Sequence, residues 1–303
     1  MPEAGQTAKS FRATRHYILV RISKTGGDSA TPKWVRGAGG VPYTEGEMPS
    51  LLIRHEERVL RLTLNRPEHK NALDEGLCRD LLEVLADAGK DRSVGAVLLD
   101  AEGPVFCAGL DLGNALLPEA LDAELIHEKL FTFGLHYHKP IVAAVEGPCM
   151  GAGLGLLANA HVVLAAQGSQ FGLTEIRYGS FPFVTFRPLA LAMGERRTAE
   201  LAMTGRLFSA PQAREYGLIH EVCPAFELED RATHTAQHLA TVAQESLRRG
   251  LDFVQKSREM SWQTAGILAA EMMTKTHRSG DYAEGIRAMR ESRPAHWPSL
   301  DLK

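Results

Sequence analysis

The sequence predicts an α/β fold in which strands and helices alternate around a sheet buried on both faces. Three observations carry this prediction. GAVLLDAEG is a short apolar run bounded by glycines, and KPIVAAVEG is a second short apolar run, as expected of buried strands. Segments with helical spacing of apolar residues lie between these runs. The chain has 303 residues, 44% of them hydrophobic, and is therefore long enough to bury a large core.

The predicted elements follow one another from Leu51 onward. LLIRH and VLRLTLN alternate apolar and polar residues around HEER, which predicts a β-hairpin. LDEGLCRDLLEVLADAGKD has leucines at helical spacing behind Asp74, a residue type typical of helix N-caps. GAVLLDAEG, KPIVAAVEG and HVVLAA predict strands, and LGLLANA and residues 118–135 predict helices. The chain after Ala210 is predicted to be helical to its end.

Residues 1–50 form a predicted N-terminal extension. They are rich in glycine, proline, serine and threonine, and only HYILVRI at residues 16–22 predicts a strand. Two interpretations stay open. The extension is either loosely ordered, with Met48 as an alternative start, or a transit segment, because basic residues outnumber acidic ones among residues 12–24.

Composition narrows the function classes. A net charge of -3 offers no electrostatic reason to expect nucleic acid or an anionic membrane as partner. The four cysteines contain no CxxC pair, so we expect neither a metal site nor a disulfide framework. No apolar run approaches the ~20 residues of a membrane span. We expect a cytoplasmic protein, or one in an organelle matrix if residues 1–50 are a transit segment.

The run GPCMGAGLG, residues 147–155, lies between a predicted strand and a predicted helix. Glycine at this density lets another group approach the backbone closely. The first amides of a helix lack partners and attract negative charge, which suits a phosphate or a developing oxyanion. The spacing does not match a dinucleotide fingerprint, and no Lys-Ser or Lys-Thr pair follows. The turn FCAGLDL, with the Ala108 and Gly109 amides, offers a second donor and favours the oxyanion.

Six motifs carry a resemblance to a known family. They are LTLNRPEHKNALD, VFCAGLDL, KPIVAAVEGPCMGAGLGLLANA, FGLTEIRYG, LAMTGRLFSAPQAREYGLIHEV and DYAEGIRAMRESRP. In this order they resemble the successive motifs of the crotonase superfamily, the enoyl-CoA hydratases and isomerases, over residues 51–297. The resemblance implies a core of spiralling ββα units at residues 51–235. It also implies a C-terminal helical region at residues 236–303 that builds a trimer, often paired into a hexamer.

The resemblance further implies an acyl-CoA thioester as substrate and no separate cofactor, because coenzyme A is part of that substrate. The thioester oxygen would lie between two backbone amides, which match Ala108 and Ala152. The glycines that would clear space for it are Gly109, Gly151 and Gly153. Amides at such a position stabilise the negative charge of an enolate.

The two glutamates that a hydratase of this family carries match Gly155 and Glu175 here, so one is lost. A single carboxylate can take a proton from one carbon and return it to another. This favours a 1,3-proton shift, the isomerase chemistry of the family. Hydration or hydration-linked cleavage stays open, because members that act on aryl-substituted thioesters resemble this pattern. A non-catalytic acyl-CoA binding protein is the rival class.

Residues for the coenzyme A moiety are implied at both ends of the core. Arg66 and Ala72 belong to the NRPEHKNA turn, and Arg293 lies near the C terminus. The two arginines are cationic options for the phosphates. Asp111 in AGLDL is either an active-site acid or a cap of its turn, and His138 is an alternative base or part of a solvated helix end.

Overall fold

The computed structural model describes the backbone of residues 18–20 and 33–35 and the chain over residues 49–113 and 124–301. Most of the predicted N-terminal extension therefore lies outside the described residues, as does the predicted helical start at residue 118. A three-residue strand, Ile18–Val20, falls within the run predicted as a strand.

The strands of the described residues belong to two sheets. Their bounds are β1 (Ile18–Val20), β2 (Lys33–Val35), β3 (Leu51–Glu56), β4 (Val59–Leu64), β5 (Ala96–Ala101), β6 (Ile141–Val145), β7 (Cys149–Met150), β8 (Val162–Ala166), β9 (Gln170–Gly172), β10 (Leu207–Ser209) and β11 (Glu221–Cys223). The main sheet has the order β1-β2-β3-β4-β5-β6-β8-β11, and the small sheet has the order β10-β9-β7.

The α-helices of the described residues lie between these strands and after them. They are α1 (Glu75–Lys90), α2 (Glu124–Thr132), α3 (Gly153–Asn159), α4 (Phe183–Met193), α5 (Glu195–Thr204), α6 (Ala210–Glu215), α7 (Ala225–Thr241), α8 (Gln244–Ser257), α9 (Trp262–His277) and α10 (Gly280–Arg290). In these described segments, every helix is too short or too polar to cross a membrane.

The predictions for the first elements are confirmed. Strands β3 and β4 pair as an antiparallel hairpin, and β4, β5, β6 and β8 run parallel to one another. Helix α1 begins after Asp74, whose carboxylate accepts a hydrogen bond of 2.7 Å from the Leu77 amide. Local signals were sufficient here because a cap and an apolar period act within a few residues.

The main sheet is buried on both faces, as its apolar strands predict. On one face Leu62, Leu99 and Val145 belong to a large core with α1, α2 and α3. On the other face Leu98 and Ala144 pack with the small side chains of α7. Burial on both faces is typical of parallel sheets, whose crossover helices cover each side.

The prediction that the chain is helical after Ala210 is wrong in one place. Strand β11 follows α6 and extends the main sheet by pairing in parallel with β8. A three-residue strand carries too few alternating positions to be recognised from sequence. The predicted boundary at residue 236 falls inside α7, which covers the sheet and continues towards the C-terminal helices.

Candidate active site

The two turns that the sequence singles out meet in the structure. Cys107 and Cys149 form an isolated parallel bridge, and the Met150 amide donates to the Cys107 carbonyl at 2.8 Å. A Cβ built on Gly109 would lie 3.5 Å from the Ala152 nitrogen. The start of α3 therefore faces the FCAGLDL turn, and the absence of a side chain at Gly109 keeps the space between them open.

Each glycine of the run 151–155 has its own close neighbour. Gly151 has a φ of +52°, and a Cβ there would lie 3.2 Å from Oε1 of Glu175. A Cβ on Gly153 would lie 2.9 Å from Cβ of Cys107. A Cβ on Gly155 would lie 2.6 Å from side-chain atoms of two buried residues, Phe131 and Thr185. The run thus removes side chains for packing as well as for access to the site.

Ala152 is the N-cap of α3 and has helical backbone angles, with φ -60° and ψ -20°. Within residues 49–113 and 124–301, its amide has no hydrogen-bond acceptor. The amide lies at the start of a buried helix, where the peptide dipoles add partial positive charge. The Ala152 amide is therefore available as the oxyanion donor that the family resemblance implies at this position.

The structure corrects the second predicted donor. The Ala108 amide donates to the Lys70 carbonyl at 3.0 Å, so it is already occupied. Two residues later, Leu110 forms a parallel bridge with Leu73. In this bridge the Leu73 amide donates to the Gly109 carbonyl, and the Asp111 amide donates to the Leu73 carbonyl. The Leu110 amide consequently points away from Leu73 and has no acceptor in the described part of the chain.

Between Phe106 and Asp111, the amides of Gly109 and Leu110 are therefore the ones without an acceptor among the described residues. Gly109 was offered by the sequence, whereas Leu110 was missed because the bond between Ala108 and Lys70 joins separate segments. The alternation of N–H directions along an extended chain was the only signal available.

Glu175 is brought to the two turns from a third segment. It begins a short 3-10 helix, Glu175–Tyr178, just after β9, and is only 8% exposed. Its Oε1 lies beside Gly151, while Oε2 has no hydrogen-bond partner among the described residues. Burial raises the pKa of the Glu175 carboxyl above its ordinary value. A buried carboxylate without a counter-charge is suited to accept and return a proton.

Arg66 does not present a free cation to a phosphate. Its guanidinium donates to the Ala72 carbonyl at 2.6 Å and contacts the carboxylates of Asp74 and Asp111, each at 3.1 Å. Arg66 thus ties the NRPEHKNA turn to the FCAGLDL turn. The prediction that Arg66 binds coenzyme A phosphates is corrected, because two carboxylates already satisfy its charge.

Asp111 is held as a cap of its turn. The Gly113 amide donates to Oδ1 at 3.0 Å, and Arg66 binds Oδ2. The Gly113 hydrogen bond and the Arg66 charge lower the pKa of Asp111. Of the two roles that the sequence left open, the contacts match the structural one.

Arg293 is also paired within the described chain. It makes hydrogen bonds to Glu284 at 2.6 and 3.2 Å and to Glu291 at 2.6 Å. The prediction that it binds coenzyme A is corrected for the same reason as at Arg66. Among the described residues no group of three histidine, cysteine or acidic side chains is arranged to hold a metal ion.

Comparisons with known proteins show the family to which the chain belongs. The sequence model of a family described as enoyl-CoA hydratase/isomerase matches residues 54–299. The 2,3-dehydroadipyl-CoA hydratase of Escherichia coli is 30% identical, over 81% of this chain and 97% of that protein. A trans-2-decenoyl-acyl-carrier-protein isomerase of Streptococcus mutans is 29% identical, over 82% of this chain and 97% of its own.

A solved structure shows the same fold. The enoyl-CoA hydratase of Mycobacterium smegmatis superposes with a TM-score of 0.79 at 28% identity, covering 82% of this chain and 99% of that chain. The predicted crotonase superfamily and its α/β fold are thereby confirmed. The chain belongs to the enoyl-CoA hydratase/isomerase family.

Proposed function

We propose that the protein moves a proton within an acyl-CoA thioester by way of an enolate, with Glu175 as its single acid/base group. The reaction is the shift of a β,γ double bond to the α,β position. The observation that carries this proposal is the buried Glu175 carboxylate, with one oxygen beside Gly151 and the other without a partner among the described residues.

The proton balance of this reaction requires one carboxylate. Glu175 takes a proton from the carbon next to the thioester, and the electron pair moves onto the thioester oxygen. The amides of Ala152 and Leu110 stabilise that oxyanion, a contribution of about 10²–10³ in rate per donor. Glu175 then returns the same proton to the γ-carbon, which leaves the conjugated thioester and restores the carboxylate.

The packing around Gly155 supports a mechanism with one carboxylate. The position at which a hydratase would carry its first glutamate is enclosed by Phe131, 0% exposed, and Thr185, 1% exposed. A side chain there would overlap both neighbours. The described residues therefore leave no space for a second acid at this position.

Hydration of an α,β-enoyl thioester is the second candidate. Hydratase names predominate among the curated relatives, although an isomerase and a hydratase-lyase are among them. A protein that only binds acyl-CoA would have no use for a buried, uncompensated carboxylate, which is costly to keep in a fold. We therefore rank binding without catalysis below both reactions.

The test is a panel of β,γ- and α,β-enoyl-CoA thioesters with the wild type and Glu175→Gln. We expect turnover of β,γ-substrates to α,β-products and a fall of about 10²–10⁴ in kcat for the variant, with substrate binding retained. The exposed Glu215→Gln is the control. Full turnover by Glu175→Gln would show that another group, such as Asp111 or His138, carries the proton. Absence of turnover by the wild type on every substrate would favour a protein that binds acyl-CoA without catalysis.

A further inference from the structure

The 3-10 helix that begins at Glu175 has one face fixed to the end of α5. A Cβ on Gly205 would lie 2.9 Å from Cγ2 of Ile176. The Arg177 guanidinium donates to the Gly205 carbonyl at 2.5 Å. These two contacts set the rotation of the helix about its axis, so that Ile176 and Arg177 face α5.

Glu175 and Tyr178 share the other face. Side chains three residues apart lie on the same face of a 3-10 helix, and the charge of Glu175 acts on the Tyr178 hydroxyl, so the two groups are neighbours. Glu175 is 8% exposed and Tyr178 is 53% exposed, which places the phenol at the solvent side of the carboxylate. Burial and the charge of Glu175 raise the pKa of Tyr178, so its hydroxyl stays protonated and can donate.

A water molecule between these two groups would have a donor and an acceptor. A phenol both donates and accepts hydrogen bonds, whereas an ionised carboxylate only accepts. We propose that the Tyr178 hydroxyl and the Glu175 carboxylate hold one water against the acyl group, so that Tyr178 is the positioning residue for hydration of α,β-enoyl thioesters, the second candidate reaction of this site. This inference rests on the proposed function of Glu175 and names the residue that serves in place of the acid excluded at Gly155.

The hydration step balances with these groups alone. Glu175 takes a proton from the water as the water oxygen bonds to the β-carbon. The electron pair of the double bond moves to the thioester oxygen, as in the isomerisation. Glu175 then gives the proton to the α-carbon, so the sum is the addition of one water. Tyr178 orients the water and exchanges no proton.

The experiment compares wild type, Tyr178→Phe and Tyr216→Phe on two substrates. A short trans-2-enoyl-CoA reports hydration, and the matching 3-enoyl-CoA reports isomerisation. Because only hydration needs the oriented water, Tyr178→Phe should lower the kcat for hydration at least about tenfold. Isomerisation should stay within about threefold, and KM should change little in both assays. The ratio of the two rates is the readout that a purely structural role would not move.

Tyr216→Phe is the matched control. Tyr216 follows α6, and its hydroxyl accepts a hydrogen bond of 3.2 Å from Arg206, so the bond that is lost does not involve Glu175 and the ratio should stay unchanged. Equal losses of both reactions in Tyr178→Phe, or a wild type that isomerises without hydrating, would overturn the inference and leave the proposed function standing. A wild type that hydrates without isomerising would reject the double-bond shift, and the Tyr178→Phe hydration rate would still decide the role of Tyr178.

Discussion

The backbone of Gly151 lies against the carboxylate of Glu175. A Cβ on Gly151 would come within 3.2 Å of Oε1, and the residue has a φ of +52°, which glycine adopts without strain. The next residue, Ala152, offers its free amide to the same space. This one glycine therefore sets the distance between the proposed base and the proposed oxyanion donor.

Gly151→Ala should lower kcat/KM at least about tenfold while the protein remains folded. The methyl group would displace the carboxylate by a few tenths of an ångström and strain the backbone by roughly 1 kcal/mol. Steady-state kinetics with circular dichroism check this result. Gly168→Ala is the control, because a Cβ there has nothing within 4 Å. Equal activity of the two variants would contradict the proposed geometry.

Ala152→Pro should abolish most turnover without unfolding α3. The φ of -60° already suits proline, so the substitution removes the N–H with little change of the backbone. We expect a loss of about 10²–10³ in kcat. Cys149→Ala serves as the comparison, since no role for its thiol is proposed. Comparable losses in both variants would mean that the loop tolerates no change.

The activity should fall in acid with a midpoint above the ordinary pKa of a glutamate. Only the ionised form of Glu175 accepts a proton, and burial raises the pKa of this carboxyl. The acid limb of kcat/KM, which reports the free enzyme, should therefore lie above about pH 4.3. Any residual activity of Glu175→Gln should lack that limb. A limb at or below the ordinary value would remove Glu175 as the titrating base.

The raised pKa of Glu175 also predicts how the stability of Glu175→Gln depends on pH. Since the folded pKa is raised above the unfolded value, the contribution of Glu175 to stability is full below the unfolded pKa. It is lost as the pH rises through the folded pKa. Glutamine stays neutral, so the variant should melt a few degrees above the wild type near pH 7. The difference should vanish below about pH 4. An unchanged difference across this range would show that the charge is not its cause.

Gly155→Glu should destabilise the protein instead of converting it into a hydratase with two carboxylates. Its side chain would meet Phe131 and Thr185 at 2.6 Å, and such overpacking typically costs about 1–3 kcal/mol or more. Thermal melting measures the loss. Adding Phe131→Ala should recover part of it, because the two changes share one space. A single variant as stable as the wild type would show that the core can open at this point.

The C-terminal helices should complete a trimer or hexamer. Helices α8 and α9 contain no buried residue in the protomer, and Val254, Trp262 and Ile267 are 50%, 97% and 67% exposed. Apolar surface of this extent is typical of a subunit interface. Sedimentation should give a trimer or hexamer for the wild type and smaller species for Ile267→Glu. The exposed Gln263→Glu adds the same charge and should assemble normally. A stable wild-type monomer at micromolar concentration would contradict the prediction.

The sequence by itself determined the alternation of strands and helices, the β3–β4 hairpin, the Asp74 cap and the place of the two turns. These features follow from periodicity, capping and glycine content, which act over a few residues of chain. Glu175 and Ala152 were singled out by the resemblance of their motifs to those of the crotonase superfamily.

Only the tertiary structure decided which groups of the site are free. Lys70 occupies the Ala108 amide and leaves those of Gly109 and Leu110, while carboxylates from other segments pair with Arg66 and Arg293. Phe131, brought by α2, closes the space at Gly155. A hydrogen bond or a clash depends on distances between segments that are far apart in the chain. No local pattern records those distances, so the free donors and the lack of space for an acid at residue 155 could be established only from the folded chain.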